Sequence, residues 1–450
     1  MRLRTVVCLA FIMTASLPLT AQYVQQGPKL VGMPVIPPSL GSNDQGLSVS
    51  LSADGNTAIV GESDNAFDFG QEAIGRVFTR SGGVWTQQAS LFATIAPVPF
   101  TPFQAVSVAI SGDGGTAVVG GPPVPTGTAT VFTRSGAVWT RQGPPLVGTG
   151  GIGNPQQGSA VALSADGNTL IVGGPADNAN LGAAWIFVRS GGVWTQQGGK
   201  LVGTVSIGSV MQGISVSISA DGNTAIVGGP GDNANTGAAW IFTRSGGVWS
   251  QQGGKLVGTG AVGNALQGRS VALSADGNTA IVGGPGDNGN TGAAWIFTRS
   301  GGTWTQQGNK LVGAGAVGAA LQGFSASLSS DGNIALIGGY GDNNNNGAAW
   351  VFTRQGGVWT QVDKLVGVDT APPPGEQQGW AVSLSGDGGT ALVGSPGTVT
   401  SSPGGNIHGA ARVFVAPVQG APIPTISMAG LFSMALALAA IGWIAMRARG

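Results

Sequence analysis

Four Asp-Asn pairs recur in loops best written Pro-Gly-Asp-Asn-x-Asn: Asp177/Asn178, Asp232/Asn233, Asp287/Asn288 and Asp342/Asn343. Their oxygens suit weak binding of a hard cation such as Ca²⁺, which collects about six to eight oxygen ligands. Asp and Asn also make tight turns on their own, because their side chains hydrogen-bond nearby backbone. The pairs are therefore expected either as calcium ligands or as turn formers. A second loop, Ser-Ala-Asp-Gly-Asn, brings one carboxylate per copy, too few for a cation site. Gly148, Gly150 and Gly153 fit G-x-G-x-x-G, as do Gly258, Gly260 and Gly263, and Gly313, Gly315 and Gly318. That fingerprint needs a following helix to receive a pyrophosphate. Strand-like sequence follows each of these, so they read as connections. The only histidine, His408, sits in a Gly/Pro/Ser-rich stretch with no nucleophile motif. The acidic residues fall chiefly once per repeat, in turns. No acid–base or nucleophile pair assembles, so neither a catalytic residue nor a required cofactor is expected.

The elements that must hold these residues come from a repeat. Asp-Gly pairs stand at Asp54, Asp113, Asp166, Asp221, Asp276, Asp331 and Asp387, at steps of 59, 53, 55, 55, 55 and 56 residues. In the fifth copy, strand-like runs cover Ser270–Ser274, Thr279–Gly283, Ala293–Arg299 and Thr303–Val312. Asp-Gly, Asn-Thr-Gly and Ser-Gly-Gly separate them, and these supply the positive φ that hairpin turns require. Four antiparallel strands per period make one propeller blade, and seven periods predict seven blades. The seventh copy ends at Val415 without its fourth strand. The missing strand stands at Tyr23–Gly32, which aligns without a gap to Trp249–Gly258. The predicted fold is an all-β, seven-bladed β-propeller whose last blade is closed by the N-terminal strand, a device that removes exposed sheet edges. Trp185, Trp240, Trp295 and Trp350 on third strands, and Trp85, Trp139, Trp194, Trp249, Trp304 and Trp359 on fourth strands, are expected to pack between blades.

Composition narrows the partners. Charged residues are 8% of the 450-residue chain, against about 25% in an average soluble domain. The 19 basic residues include Arg2, Arg4, Arg447 and Arg449; without these four, fifteen remain against 19 acidic residues, a body charge of −4. A nucleic-acid partner needs a basic stripe, and there is none. Cys8 is the only thiol, which excludes disulfides and Cys-ligated metals.

The ends predict an address. Residues 1–21 have the charged, apolar and small-residue parts of a secretory signal peptide. The propeller is assigned to 22–416 and a linker to 417–427. Residues 428–446 form a 19-residue uncharged run, just long enough for a transmembrane helix, and 447–450 a basic cytoplasmic tail. Ile423-Pro424-Thr425-Ile426-Ser427, then Gly430, an apolar run and an Arg-containing tail, resembles the IPTL-CTERM sorting signal of Gram-negative bacteria. Ile426 stands where that family has Leu, and Ala429 where it has Trp. The resemblance implies processing by an exosortase-type membrane protease; a plain membrane anchor is the alternative.

The repeat itself, Gln-Gly-x-Ser-Val-Ala-Leu-Ser followed by Gly-Gly-Pro-Gly-Asp-Asn-x-Asn-Thr-Gly-Ala-Ala-Trp-Ile-Phe-Thr-Arg, resembles the FG-GAP repeat of integrin-α-like propellers. Two departures stand out. Gln replaces the Phe of Phe-Gly at Gln45, Gln157, Gln212, Gln267, Gln322 and Gln378, and Gly-Gly-Pro replaces Gly-Ala-Pro at Gly173, Gly228 and Gly283. The Asp-x-Asp-x-Asp-Gly calcium loop often found in that family is absent. The resemblance implies an exported, non-catalytic surface binding or structural protein, with a surface protein or glycan as partner. A hydrolase with its site at the channel mouth is the alternative. The segments Asn65–Ile74, Pro122–Thr126 and Thr398–His408 break the period and are expected to discriminate the two.

Overall fold

The computed structural model describes residues 22–32, 43–64, 72–93, 106–121, 127–368, 375–397 and 409–417. The signal-peptide segment 1–21, the sorting motif Ile423–Ser427 with Gly430, and the apolar run 428–446 lie outside them. So do His408 and nearly all of the three period-breaking segments. Among the described residues, no helix is long and apolar enough to cross a membrane.

Seven four-stranded antiparallel sheets are formed, one per period. In the fifth blade the strands are Ser270–Leu273, Thr279–Gly284, Ala293–Ser300 and Thr303–Gln306. Every residue of the second strand is buried, as expected of a strand covered on both faces. First strands touch the first strands of both neighbours, all the way round and across the joint between the seventh blade and the first. They form the inner ring. Seven apolar cores lie between consecutive blades rather than within one centre. Trp185, Trp240, Trp295 and Trp350 are fully buried in them, as expected. The fourth-strand tryptophans also pack against these cores, half-buried, and in five blades each lies under an arginine at 5.2–5.5 Å.

The last blade is completed as the alignment required. Val24 pairs with Val415 and Gln25 with Phe414, and Leu30 exchanges both backbone bonds with Ala411. Gln26 then reaches the first blade, where its Oε1 accepts from Trp85 Nε1 and Arg80 Nη1. The second Gln of Gln-Gln plays this part at further joints, Gln88 accepting from Trp139 and Gln252 from Trp304, and Gln142 after Arg141 does the same for Trp194. At the remaining joint Tyr23 replaces the tryptophan and has no indole N–H to offer. There Val362 replaces the acceptor glutamine, and the two pack in one core.

Two local differences from the sequence reading have physical causes. The fourth strand of blades two to five stops at its glutamine or arginine (Arg141, Gln196, Gln251, Gln306), because Gly143, Gly198, Gly253 and Gly308 follow at positive φ. Blades one and six have no glycine there. Their fourth strands run on, Val84–Ala93 and Val358–Leu365, each absorbing a bulge. Where helix was not expected, Asp177–Asn180 and its three equivalents form one short turn. Asn178 (φ 48°, ψ 62°) and Ala179 (φ 56°, ψ 44°) are left-handed, so the turn is not an ordinary helix.

Candidate functional site

Each Asp-Asn loop joins the second strand of a blade to its third, and the structure separates the two residues. Asp177, Asp232, Asp287 and Asp342 are buried, at 1–2% exposure, while Asn178, Asn233, Asn288 and Asn343 are exposed. Asp287 Oδ1 accepts the Val262 N–H at 2.7 Å, and its Oδ2 takes the Lys310 ammonium at 2.5 Å. The same pair of partners serves Asp177 (Ile152, Lys200), Asp232 (Ile207, Lys255) and Asp342 (Val317, Lys364). The cation beside each carboxylate is a lysine of the same blade, and a metal ion would have to displace it. Among the described residues no group of three acidic, His or Cys side chains could hold a metal.

The glutamines that replace phenylalanine are also committed to the scaffold. Gln267 is fully buried, accepts the Gly258 N–H at 2.5 Å and donates to the Gly258 carbonyl at 3.0 Å. Its primary amide thus closes the connection between blades with a pair of bonds that an aromatic ring could not make. Gly258 in turn lies against Trp295, where a Cβ would come within 2.1 Å of the indole. In blades one and seven the tryptophan position carries Arg76 and Arg412, both buried. The neighbouring strand changes to match. Gly284, against Trp295 in blade five, corresponds to Glu62 and Ser395. Arg76 makes a two-bond pair with Glu62 at 2.6 and 3.0 Å, and Arg412 bonds Ser395 at 2.9 Å and pairs with Glu376. Glu376 also meets Lys29 of the closing strand. Beside Glu62, burial and then the Glu62 charge push the Asp44 carboxyl up to about 6.

The chemistry left over lies at the two mouths of the inner ring. At one, all seven Asp-Gly turns repeat the two Oδ1 contacts, and the five with Asn two residues on repeat an Oδ2 contact as well. Asp276 Oδ1 accepts from the Ser274 hydroxyl and the Asn278 N–H, and Oδ2 from the Asn278 amide. Burial works to raise these carboxyls, but the hydrogen bonds outweigh it and hold Asp54, Asp166, Asp221, Asp276 and Asp331 below the usual range. Around this mouth runs a closed circuit of backbone hydrogen bonds, each blade donating to the next. Its members are Ala53 to Gly112, Asp113 to Ala165, Ala165 to Ala220, Ala220 to Ala275, Ala275 to Ser330, Ser330 to Gly386 and Gly386 to Ala53.

At the other mouth each first strand is entered through the residue after its Gln-Gly or the equivalent. Around the ring these are Leu47, Val106, Ser159, Ile214, Arg269, Phe324 and Trp380. The last three touch across blade boundaries. The Arg269 guanidinium lies 4.1 Å from the Phe324 ring centroid, and Phe324 lies 4.8 Å from Trp380. Tyr340, standing where blades three to five have proline, meets Phe324 at 4.6 Å and Trp380 at 4.7 Å. All four are half-buried. Burial lowers the Arg269 pKa, with the nearby Tyr340 working the other way. The sequence reading did not single out this cluster. Its signal was there, as one position that differs in every copy beside a Tyr-for-Pro exchange.

Closed ring, seven sheets and N-terminal closure define a seven-bladed β-propeller. No family model and no curated protein matches the chain. Among solved structures, a protein from Lactobacillus plantarum overlays at 16% identity and TM-score 0.47, over 72% of this chain and 85% of its own. Kuenenia stuttgartiensis hydrazine synthase overlays at 13% identity and TM-score 0.48, over 80% of this chain and 95% of its own. Likeness at that level carries no argument about activity.

Proposed function

We propose that this chain is an exported FG-GAP-like propeller of a Gram-negative envelope that binds a surface protein or glycan and catalyses nothing. Residues 1–21 direct export. The 417–450 segment anchors the protein or, after exosortase-type processing at the Ile423–Ser427 motif, lets it go. One observation carries the binding reading. The carboxylates and cations of the regular blades are consumed by their own scaffold, whereas the unshared chemistry is a cation and three half-exposed rings at one mouth. Binding residues belong on such blade-specific positions held by a rigid frame.

The hydrolase reading rests on Asp44 and Glu62, two adjacent carboxyls of which one is pushed up to about 6. Such a pair is the raw material of acid–base catalysis. Glu62 is wholly buried and both its oxygens are held by Arg76, which argues for a structural pair. A screen of the full chain against glycans and envelope proteins, run beside a panel of glycosidase and esterase substrates, tests the choice. Saturable binding without turnover is expected; turnover abolished by Asp44→Asn would reverse it. Melting in millimolar calcium is expected to be unchanged, and a rise would reinstate the Asp-Asn loops as cation sites. The intact mass of surface-released protein tests processing, since a retained 428–446 segment would rule it out.

A further inference from the structure

Of the fifteen lysines and arginines in residues 22–416, fourteen donate to an oxygen or share an ion pair. Arg269 alone has neither among the described residues; its side chain's contact is the face of Phe324. A half-buried guanidinium without an acceptor is a cost to the free protein. The repeat does not impose that cost, because the same position is Ser159 in blade three and Ile214 in blade four. Tyr340 is equally optional, since its equivalents are Pro175, Pro230 and Pro285. Four non-repeating residues from three blades thus meet at one mouth and, among the described residues, leave one positive charge unanswered.

The shape of what is missing follows from the groups present. The guanidinium that lies over Phe324 is a planar fork of N–H donors, which matches a carboxylate by two parallel bonds. One unanswered cation matches one negative charge. Phe324, Tyr340 and Trp380 are mutually inclined, at 47–78°. Together they make a contiguous aromatic floor, and the C–H face of a pyranose is an apolar partner for such rings. Aromatic rings with an adjacent polar anchor are the usual make-up of such recognition surfaces.

We propose that Arg269, Phe324, Tyr340 and Trp380 form a subsite for a uronic-acid unit of an acidic polysaccharide, the sugar carboxylate on Arg269 and the pyranose ring on the aromatic floor. This rests on the reading of the propeller as a binding protein. The test is calorimetric titration of the full chain, purified in detergent, with polygalacturonate, free galacturonate, neutral dextran and dextran sulfate. Polygalacturonate and, more weakly, free galacturonate should bind, and neutral dextran should not. Arg269→Gln and Trp380→Ala should each weaken polygalacturonate binding at least tenfold, with melting temperatures near that of the parent protein. Failure of the parent protein to bind either uronate overturns the proposal. So does unchanged affinity in Arg269→Gln, or dextran sulfate binding as tightly as the uronate polymer. An acidic peptide or protein that binds through Arg269 in place of the uronate would also overturn the sugar assignment, while leaving the binding reading intact. Reducing-end release, assayed in the same mixtures, separates the two claims: Arg269-dependent binding with cleavage keeps the subsite and overturns the non-catalytic reading.

Discussion

The two mouths of this ring are built from the same seven strands and treat them in opposite ways. At the Asp-Gly mouth all seven turns keep the same Oδ1 contacts, and a hydrogen-bond circuit runs round in which each blade donates to the next. At the other mouth no two of the seven entry residues are the same, and three of them meet Tyr340 in the Arg269 cluster. Packing demands regularity where blades must lock together, and one mouth supplies enough of it. The other mouth is free to vary, so local exchanges there must each be self-consistent. The paired change of Trp and Gly for Arg and Glu shows such consistency within a single chain.

Removing the closing strand is the strongest way to break the comparison, because it opens both mouths. Deletion of Tyr23–Gly32 bares the edge of strand Ala410–Val415 and is expected to give insoluble or aggregated protein. A monodisperse, fully folded product in size-exclusion chromatography would show that closure is dispensable. Next in size is the exchange at the variable side. Arg76→Ala leaves Glu62 buried and uncompensated, with an expected loss of about 3–5 kcal/mol in denaturant unfolding. The double change Arg76→Trp with Glu62→Gly copies blades three to six and should recover most of it. If the double variant is no better than the single, the exchange is not a self-contained unit.

Acidity separates the mouths in sign. Asp44 is raised when folded, so its burden is absent at low pH and grows as pH climbs from about 4 to about 6. Asp44→Asn should therefore raise stability at pH 7 by about 1–2 kcal/mol and flatten melting temperature across that window. The Asp-Gly carboxyls are lowered when folded. Their contribution is present above the unfolded carboxyl range and is lost as pH falls below about 4. Asp44→Asn that leaves the pH profile unaltered would remove this distinction. The smallest effect is backbone strain in the second-to-third-strand loop. Ala234 sits at φ 53°, where the next two copies have Gly289 and Asn344. Ala234→Gly should gain about 0.5–1 kcal/mol in chemical denaturation, and a loss would show that the side chain has a packing role.

How far the sequence revealed each region follows the same division. The Asp-Gly period spelled out blade number, strand order and closure, because spacing and turn chemistry are local signals repeated seven times. The Asp-Asn loops stayed ambiguous for a physical reason. Lys310 lies 23 residues beyond Asp287 and meets it only after the third strand has folded back. The Arg269 cluster was less legible still. Arg269, Phe324 and Trp380 are a full period apart, and an aromatic after Gln-Gly looks like core until ring order sets it beside its neighbours. The glutamine-for-phenylalanine exchange was visible, but its meaning depended on the Gly258 backbone that the amide pairs with.

The closing strand also sets a timetable. Residues 22–32 leave the ribosome among the first of the described chain, yet their partners at Val413 and Val415 are among the last. Until those arrive, the earliest-made strand has no sheet to join, and the seventh blade remains three strands wide. Ring formation is therefore tied to synthesis of the strand Ala410–Val415, and a product that stops short of it lacks the described partner of Val24 and Gln25. The blades between can form in order, each against the one before. Permuting the chain to begin at Ser270 would turn closure into an ordinary internal hairpin and shift the wait to another joint. Among the described strands, the cut chosen by this protein makes the earliest synthesised the one that completes the last blade.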